Sequence, residues 1–137
     1  MHSVSAGRQC VFCKMPDSEI RRRVYEDRVC SVIINRYPVE KGHLLVISKA
    51  HYADMLSTPD SVITHMFRVA KRFGRVTKNK LKCMGMDIGV NIGGAGSIHH
   101  FHIHILPRYS NRLLHFGPGK DEIQEKEIRE VRQLLKL

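Results

Sequence analysis

His100-Phe101-His102-Ile103-His104-Ile105-Leu106 is the stretch on which the fold turns. Successive side chains of an extended strand point to opposite faces, so residues two apart share a face. On that alternation His100, His102 and His104 look one way. Phe101, Ile103 and Ile105 look the other way, into a core. Three imidazoles in a row would each need a partner if buried, so this face is a polar surface or a site rather than packing. The strand is expected over residues 98–106, stopped by Pro107.

Working outward, the segment Asn91-Ile92-Gly93-Gly94-Ala95-Gly96-Ser97 leads into that strand as a glycine-rich loop. Glycine lets a backbone approach a ligand closely, and such a loop can present N–H groups to an anion. Asn91 and Ser97 are its candidate phosphate contacts. Upstream, Met86 to Val90 reads as a strand, as do Val24 to Glu26, Val29 to Ile34 and Leu44 to Ile47, giving about five. Between them Val62, Ile63, Met66, Val69, Ala70, Phe73 and Val76 recur at helical spacing after Ser57-Thr58-Pro59-Asp60, which reads as a helix start with a capping hydroxyl. The opposite face carries Arg68, Lys71, Arg72, Arg75 and Lys78, a solvated stripe. A second helix is expected over 120–137, with Ile128, Val131 and Leu135 as its apolar stripe. Two helices cannot cover both faces of a parallel sheet, so the fold class is α+β, a meander of about five antiparallel strands.

With 137 residues, 42% of them hydrophobic, the chain is expected to form a single domain behind a polar tail at residues 1–9. It shows no secretory-type apolar start and no apolar run of membrane-spanning length, so a cytoplasmic, membrane-free protein is the default. The net charge of +10 attracts polyanions, nucleotides or nucleic acid among them. Cys10 and Cys13 have the Cys-x-x-Cys spacing that, without an export signal, reads as metal binding or redox chemistry. Cys30 and Cys83 read as small buried hydrophobes.

Residues His100 to Leu106 match at every position the signature His-φ-His-φ-His-φ-φ of the histidine triad family, which this chain resembles, and Pro107-Arg108 follow as in many members. Val24-Tyr25-Glu26-Asp27 is similar to the family's early strand. Asn35-Arg36-Tyr37-Pro38 with Gly42-His43-Leu44-Leu45-Val46 is similar to its second signature, and Lys49-Ala50-His51-Tyr52 to another common segment. One departure stands out: family members often have a glutamine before the triad strand, whereas here Ala95-Gly96 runs directly into Ser97.

The resemblance implies a five-stranded antiparallel sheet, usually paired as a two-fold homodimer. It implies a nucleotide hydrolase or transferase in which His102 attacks an α-phosphorus to give a nucleotidyl-histidine. His104 would contact the phosphoryl oxygens, His43 would complete the cluster, and Asn35 would reach the ribose. The substrate would be a nucleoside phosphoramidate or a dinucleoside polyphosphate; the Asn-Arg-x-Pro loop favours the latter branch. Many members also hold structural zinc at positions matching Cys10, Cys13, His51 and His100, a quartet commoner in the phosphoramidase-like branch. On the residues alone, Phe12 and Ile33 read equally as base-packing side chains and as ordinary core. Two other functions stay open on the residues alone: a nucleotide- or nucleic-acid-binding module with little catalysis, and a metalloenzyme whose triad ligates a catalytic ion, although no nearby carboxylate would complete such a site.

Overall fold

A computed structural model describes residues 10–15, 17–96 and 98–136. The polar stretch 1–9 and Ser97 lie outside the described residues. A 3-10 segment at Asp17–Arg22 leads into strands β1 (Arg23–Glu26), β2 (Cys30–Ile34) and β3 (Leu44–Ser48), then helix α1 (Asp60–Leu81), β4 (Gly85–Gly89), β5 (His102–Arg108) and helix α2 (Glu125–Leu135). The strands form one antiparallel sheet in the order β1-β2-β3-β5-β4. This is the α+β arrangement the alternation and spacing predict. Among the described residues, no helix is long and apolar enough to cross a membrane.

Strand alternation gives the sheet two different faces. Val32, Ile34, Leu44, Val46, Ile103 and Ile105 point to one side, where Met66, Val69, Ala70 and Phe73 of α1 and Ile128, Val131 and Leu135 of α2 close over them. Each such aliphatic side chain contributes roughly 1.5–3 kcal/mol by leaving water. The other face carries Ile33, Leu45 and Ile47, covered only by Phe12 and Met15. Register puts His104 beside Leu45 and His102 beside Ile47 on this thinly covered face. Arg68, Lys71, Arg72, Arg75 and Lys78 are exposed, as a solvated stripe should be.

Four boundaries differ from expectation. The triad strand begins at His102, not at residue 98, because the preceding backbone is tied sideways: Phe101 N–H bonds the Tyr52 carbonyl at 2.7 Å. Pro107 does not stop the strand. Arg108 turns its carbonyl to the Met84 N–H at 2.8 Å, so Pro107 points its ring nitrogen to the opposite side, beyond the last β3 pairing at Leu44. The C-terminal helix starts at Glu125 rather than at 120, since the Gly119 and Ile123 N–H groups bond the Tyr37 and Arg36 carbonyls and keep that stretch extended. The hydroxyls of Ser57 and Thr58 do not cap α1; both reach back to the Asp54 carbonyl.

Gly42 turns the chain into β3 with φ +87°, and a Cβ there would sit 2.2 Å from Leu81 Cδ1. Gly42→Ala is therefore expected to cost about 1–2 kcal/mol through the left-handed backbone alone, read as a lower urea midpoint with an unchanged slope. Equal midpoints would show that the turn relaxes.

Candidate active site and metal centre

The thinly covered sheet face floors a cavity of about 720 Å³, lined by His102 and His104 from β5, Asn35, Ile33 and Leu45, with Phe12, Asn91 and Phe116 at its walls. That is the size range of small-molecule sites. Burial is steep around the triad: His43 is 0%, His100 1% and His104 3% exposed.

Backbone partners fix which nitrogen of each ring carries the hydrogen, because a carbonyl can only accept and a backbone N–H can only donate. His102 Nδ1 donates to the His100 carbonyl at 2.6 Å, so Nε2 keeps its lone pair. Val39 N–H donates to His43 Nδ1 at 3.1 Å, which places the hydrogen of His43 on Nε2. That Nε2 lies 2.9 Å from His104 Nδ1 and donates to it. His104 must then carry its own hydrogen on Nε2, and this buried atom has no partner among the described residues. A neutral relay of three dipoles thus ends in one unused donor beside one unused lone pair. The rings of His102 and His104 are 4.9 Å apart. An unmet buried donor costs roughly 1–3 kcal/mol, which a ligand oxygen would recover.

Burial keeps all of these rings neutral. It pushes His43 down to about 4, helped by His102 and His115. It pushes His104 down to about 3, with His102 and His43 adding to the effect. It also lowers His102, opposed by the His100 carbonyl. The consequence for stability has a definite sign. Unfolded, these imidazoles take up protons below about pH 6.5; folded, His43 and His104 refuse them until about 4 and 3. Stability conferred by the neutral rings is complete above pH 6.5 and is lost as pH falls. Between pH 7 and pH 5, before carboxylates titrate, we expect a loss of about 2 kcal/mol or more in urea-derived stability. A flat profile over that interval would mean the rings are charged or hydrated in the fold.

His100 faces away from this cavity. Its Nε2 donates to the Ser48 carbonyl at 2.7 Å, leaving the Nδ1 lone pair aimed at Cys10 Sγ (3.3 Å), Cys13 Sγ (3.4 Å) and His51 Nδ1 (3.1 Å). Cys13 Sγ is also 3.2 Å from His51 Nδ1. All four ligand atoms lie within 4.8 Å of one another. Tetrahedral zinc, with bonds of roughly 2.0–2.3 Å, sets its ligands at such separations. Two converging imidazole lone pairs and two thiols repel unless a cation or protons sit among them, so the donor set fits a zinc ion. A second group, Asp27, Cys30 and His65, does not. Asp27 already accepts from the Val29 and Cys30 N–H groups, Tyr25 Oη and His65 Nε2, which makes it the pin of the β1–β2 turn.

The structure thus brings His43, His102 and His104 together, and separately Cys10, Cys13, His51 and His100. Asn35 lines the cavity, but its Oδ1 accepts from the Tyr37 N–H at 3.0 Å and its Nδ2 lies 3.4 Å from the His43 ring, so it braces the loop that presents His43. Asn91 also lines the cavity, donating its amide to the Phe116 carbonyl. Three N–H groups of the glycine loop are engaged within the protein. Gly93 N–H bonds Asp54, and Ala95 and Gly96 N–H close the loop's own 3-10 turn. Sequence reasoning missed Glu19, Arg22 and Phe116, which line the cavity without belonging to any motif.

A model of the HIT domain family matches residues 18–111. An uncharacterized HIT-like protein of Methanocaldococcus jannaschii is 32% identical over 128 residues, 90% of this chain and 98% of that protein. The adenylylsulfatase HINT3 of Arabidopsis thaliana is 35% identical over 114 residues, 79% of this chain and 56% of that protein. Among solved structures, a zinc-bound histidine triad family protein from Mycobacterium smegmatis superposes with a TM-score of 0.77 at 31% identity, covering 94% of each chain.

Proposed function

The chain belongs to the HIT domain family and is of its nucleotide-binding hydrolase and transferase kind, and from that premise we propose that His102 transfers a nucleotidyl group through a covalent intermediate. The observation that carries this is the pairing just described: an open lone pair on His102 Nε2 beside an unpartnered Nε2–H on His104, in one cavity.

In the first step the Nε2 lone pair of His102 forms a bond to the α-phosphorus. The bond from phosphorus to the leaving group breaks, and its electrons leave with that group. The ring becomes positively charged, and the hydrogen bond from its Nδ1 to the His100 carbonyl strengthens as it does. His104 Nε2–H donates to a phosphoryl oxygen as charge builds there. In the second step water attacks phosphorus and gives up a proton to the solvent, the N–P bond breaks, and its electrons return to Nε2. Splitting one displacement into two lowers each barrier. Substrates of this scheme are nucleoside phosphoramidates and dinucleoside polyphosphates; the similarity to a protein named as an adenylylsulfatase extends the class to other nucleotidyl anhydrides. The base would lie between Phe12 and the floor of Ile33 and Leu45.

Zinc on Cys10, Cys13, His51 and His100 would be structural, since four protein ligands leave no open position. We also assign a homodimer through the free edge of β4. There Ile88 (39% exposed) and Met84 (61%) accompany Phe67 (37%), an apolar set unusual beside an unpaired edge.

Intact-protein mass spectrometry tests the chemistry. After brief incubation with adenosine phosphoramidate, a diadenosine polyphosphate and guanosine counterparts, wild type should show a nucleoside-monophosphate adduct with at least one substrate. Turnover with no adduct at any quench time would refute the covalent route.

A further inference from the structure

At the end of the cavity away from His102 and His104 lies a charged pair that the proposed chemistry does not use. Arg22 is 5% exposed and lines the cavity together with Glu19. Its Nε donates to Glu19 Oε1 at 3.0 Å and Nη1 to the Ile34 carbonyl at 2.9 Å, while Nη2 lies 2.9 Å from the same Glu19 oxygen as an ion-pair contact. A guanidinium has five N–H donors. Two hydrogen bonds and that contact leave at least two N–H groups, one on Nη1 and one on Nη2, without a partner among the described residues. Glu19 is close to saturated: Oε1 takes both Arg22 contacts, and Oε2 accepts from Arg21 Nη1 at 3.0 Å. The pair therefore offers a ligand two donors and at most one acceptor lone pair.

Its position is set by the sheet. Between β5, which bears His102 and His104, and β1, which Arg22 immediately precedes, lie β3 and β2. Three inter-strand steps of about 4.8 Å separate the two strands, and the guanidinium leans over β2 to bond the Ile34 carbonyl, which leaves it about two steps, roughly 10 Å, from β5. A nucleotide whose α-phosphorus sits at His102 spans that interval with its sugar and base. The floor between is Leu45 and Ile33, with Phe12 and Met15 facing it, an apolar slot for a flat ring. A base lying in that slot meets Arg22 edge-on.

We propose that Arg22, held in place by Glu19, determines base specificity by selecting nucleotides whose base is a 6-oxopurine over those carrying adenine. The inference rests on the nucleotide reading above. Position 6 is the purine substituent farthest from the sugar carbon that carries the base. In guanine and hypoxanthine it is an oxygen with the acceptor N7 beside it, the edge to which a two-donor arginine fork bonds. In adenine it is an amino group, whose N–H would face the N–H groups of Arg22. An interaction made with one base and opposed by the other discriminates more strongly than added contact area does.

The test is calorimetric binding of GMP, IMP and AMP to the wild-type protein. GMP and IMP should bind alike and about 5- to 100-fold more tightly than AMP. The double variant Glu19→Leu/Arg22→Met, which leaves neither charge buried alone, should bring the three affinities within about 2-fold of one another. Equal binding of AMP and GMP by wild type overturns the proposal and spares the nucleotide reading. So does IMP binding as weakly as AMP, because the 2-amino group would then be the feature recognised. Failure of all three to bind removes the nucleotide reading itself and this proposal with it. A double variant that unfolds leaves the wild-type ratios to decide.

Discussion

His102→Ala is expected to lower turnover by at least roughly 1,000-fold while nucleotide monophosphate binding stays within a few-fold of wild type. The asymmetry follows from what the ring touches. His102 supplies an imidazole lone pair that the backbone leaves uncommitted: the His100 carbonyl holds the Nδ1 hydrogen, and Nε2 is left free in a ring that lines the cavity. Binding is divided among many other groups, including Phe12, Ile33, Leu45 and the His104 donor. His104→Ala removes a donor rather than the nucleophile and should cost less, about 100- to 1,000-fold in kcat. His43→Ala acts one step further out, since it frees His104 to adopt the other tautomer. Its loss should fall on kcat more than on KM. Steady-state kinetics on the three variants, with a mass spectrum for each, separates these roles. Turnover by His102→Ala near the wild-type rate would place the nucleophile elsewhere.

How much of this was readable in the chain depends on the range of the interaction that decides each feature. The period-2 alternation from His100 to Ile105 and the 3.6 period of α1 are local patterns, and the two faces of the triad strand and the helix follow from them. The cysteine pair and the triad are short motifs, so both clusters could be named before their geometry was known. Long-range backbone contacts decided what failed. Phe101 N–H is held by Tyr52, and Ile123 N–H by Arg36; neither bond has a signature near the residue it displaces. In the glycine loop, Gly93 N–H reaches Asp54 from 39 residues away, a contact that the loop's composition does not announce. His65 carried no motif because its partner Asp27 is 38 residues away. Arg22 is one of three consecutive arginines, Arg21-Arg22-Arg23, and a charge run of that kind reads as a solvated face; the fold buries Arg22 against the cavity.

Stripping metal from the Cys10–Cys13–His51–His100 centre should lower the thermal midpoint by on the order of 10 °C, the effect of a ligand held about 100- to 1,000-fold above its dissociation constant. Without metal the four donors crowd one another. His51 and His100 aim their Nδ1 atoms at each other from 3.1 Å. The Cys13 thiol, pushed up to about 11 by burial and then by Cys10, stays protonated at neutral pH. Zinc held by these four residues would relieve that crowding in place of the thiol protons, so loading should acidify a weakly buffered solution. The centre also fastens the segment from Cys10 to Cys13, and Phe12 between them packs edge-on against His102 with ring centroids 5.1 Å apart. Removing the ion should therefore weaken nucleotide binding as well as the fold, whereas a purely remote staple would change only the fold. Elemental analysis, a chelator melt and a calorimetric nucleotide titration of Cys10→Ser beside wild type make the comparison. Protein purified without chelator that contains no zinc, and melts at the same temperature with or without added metal, would show that the four donors are held by protons alone.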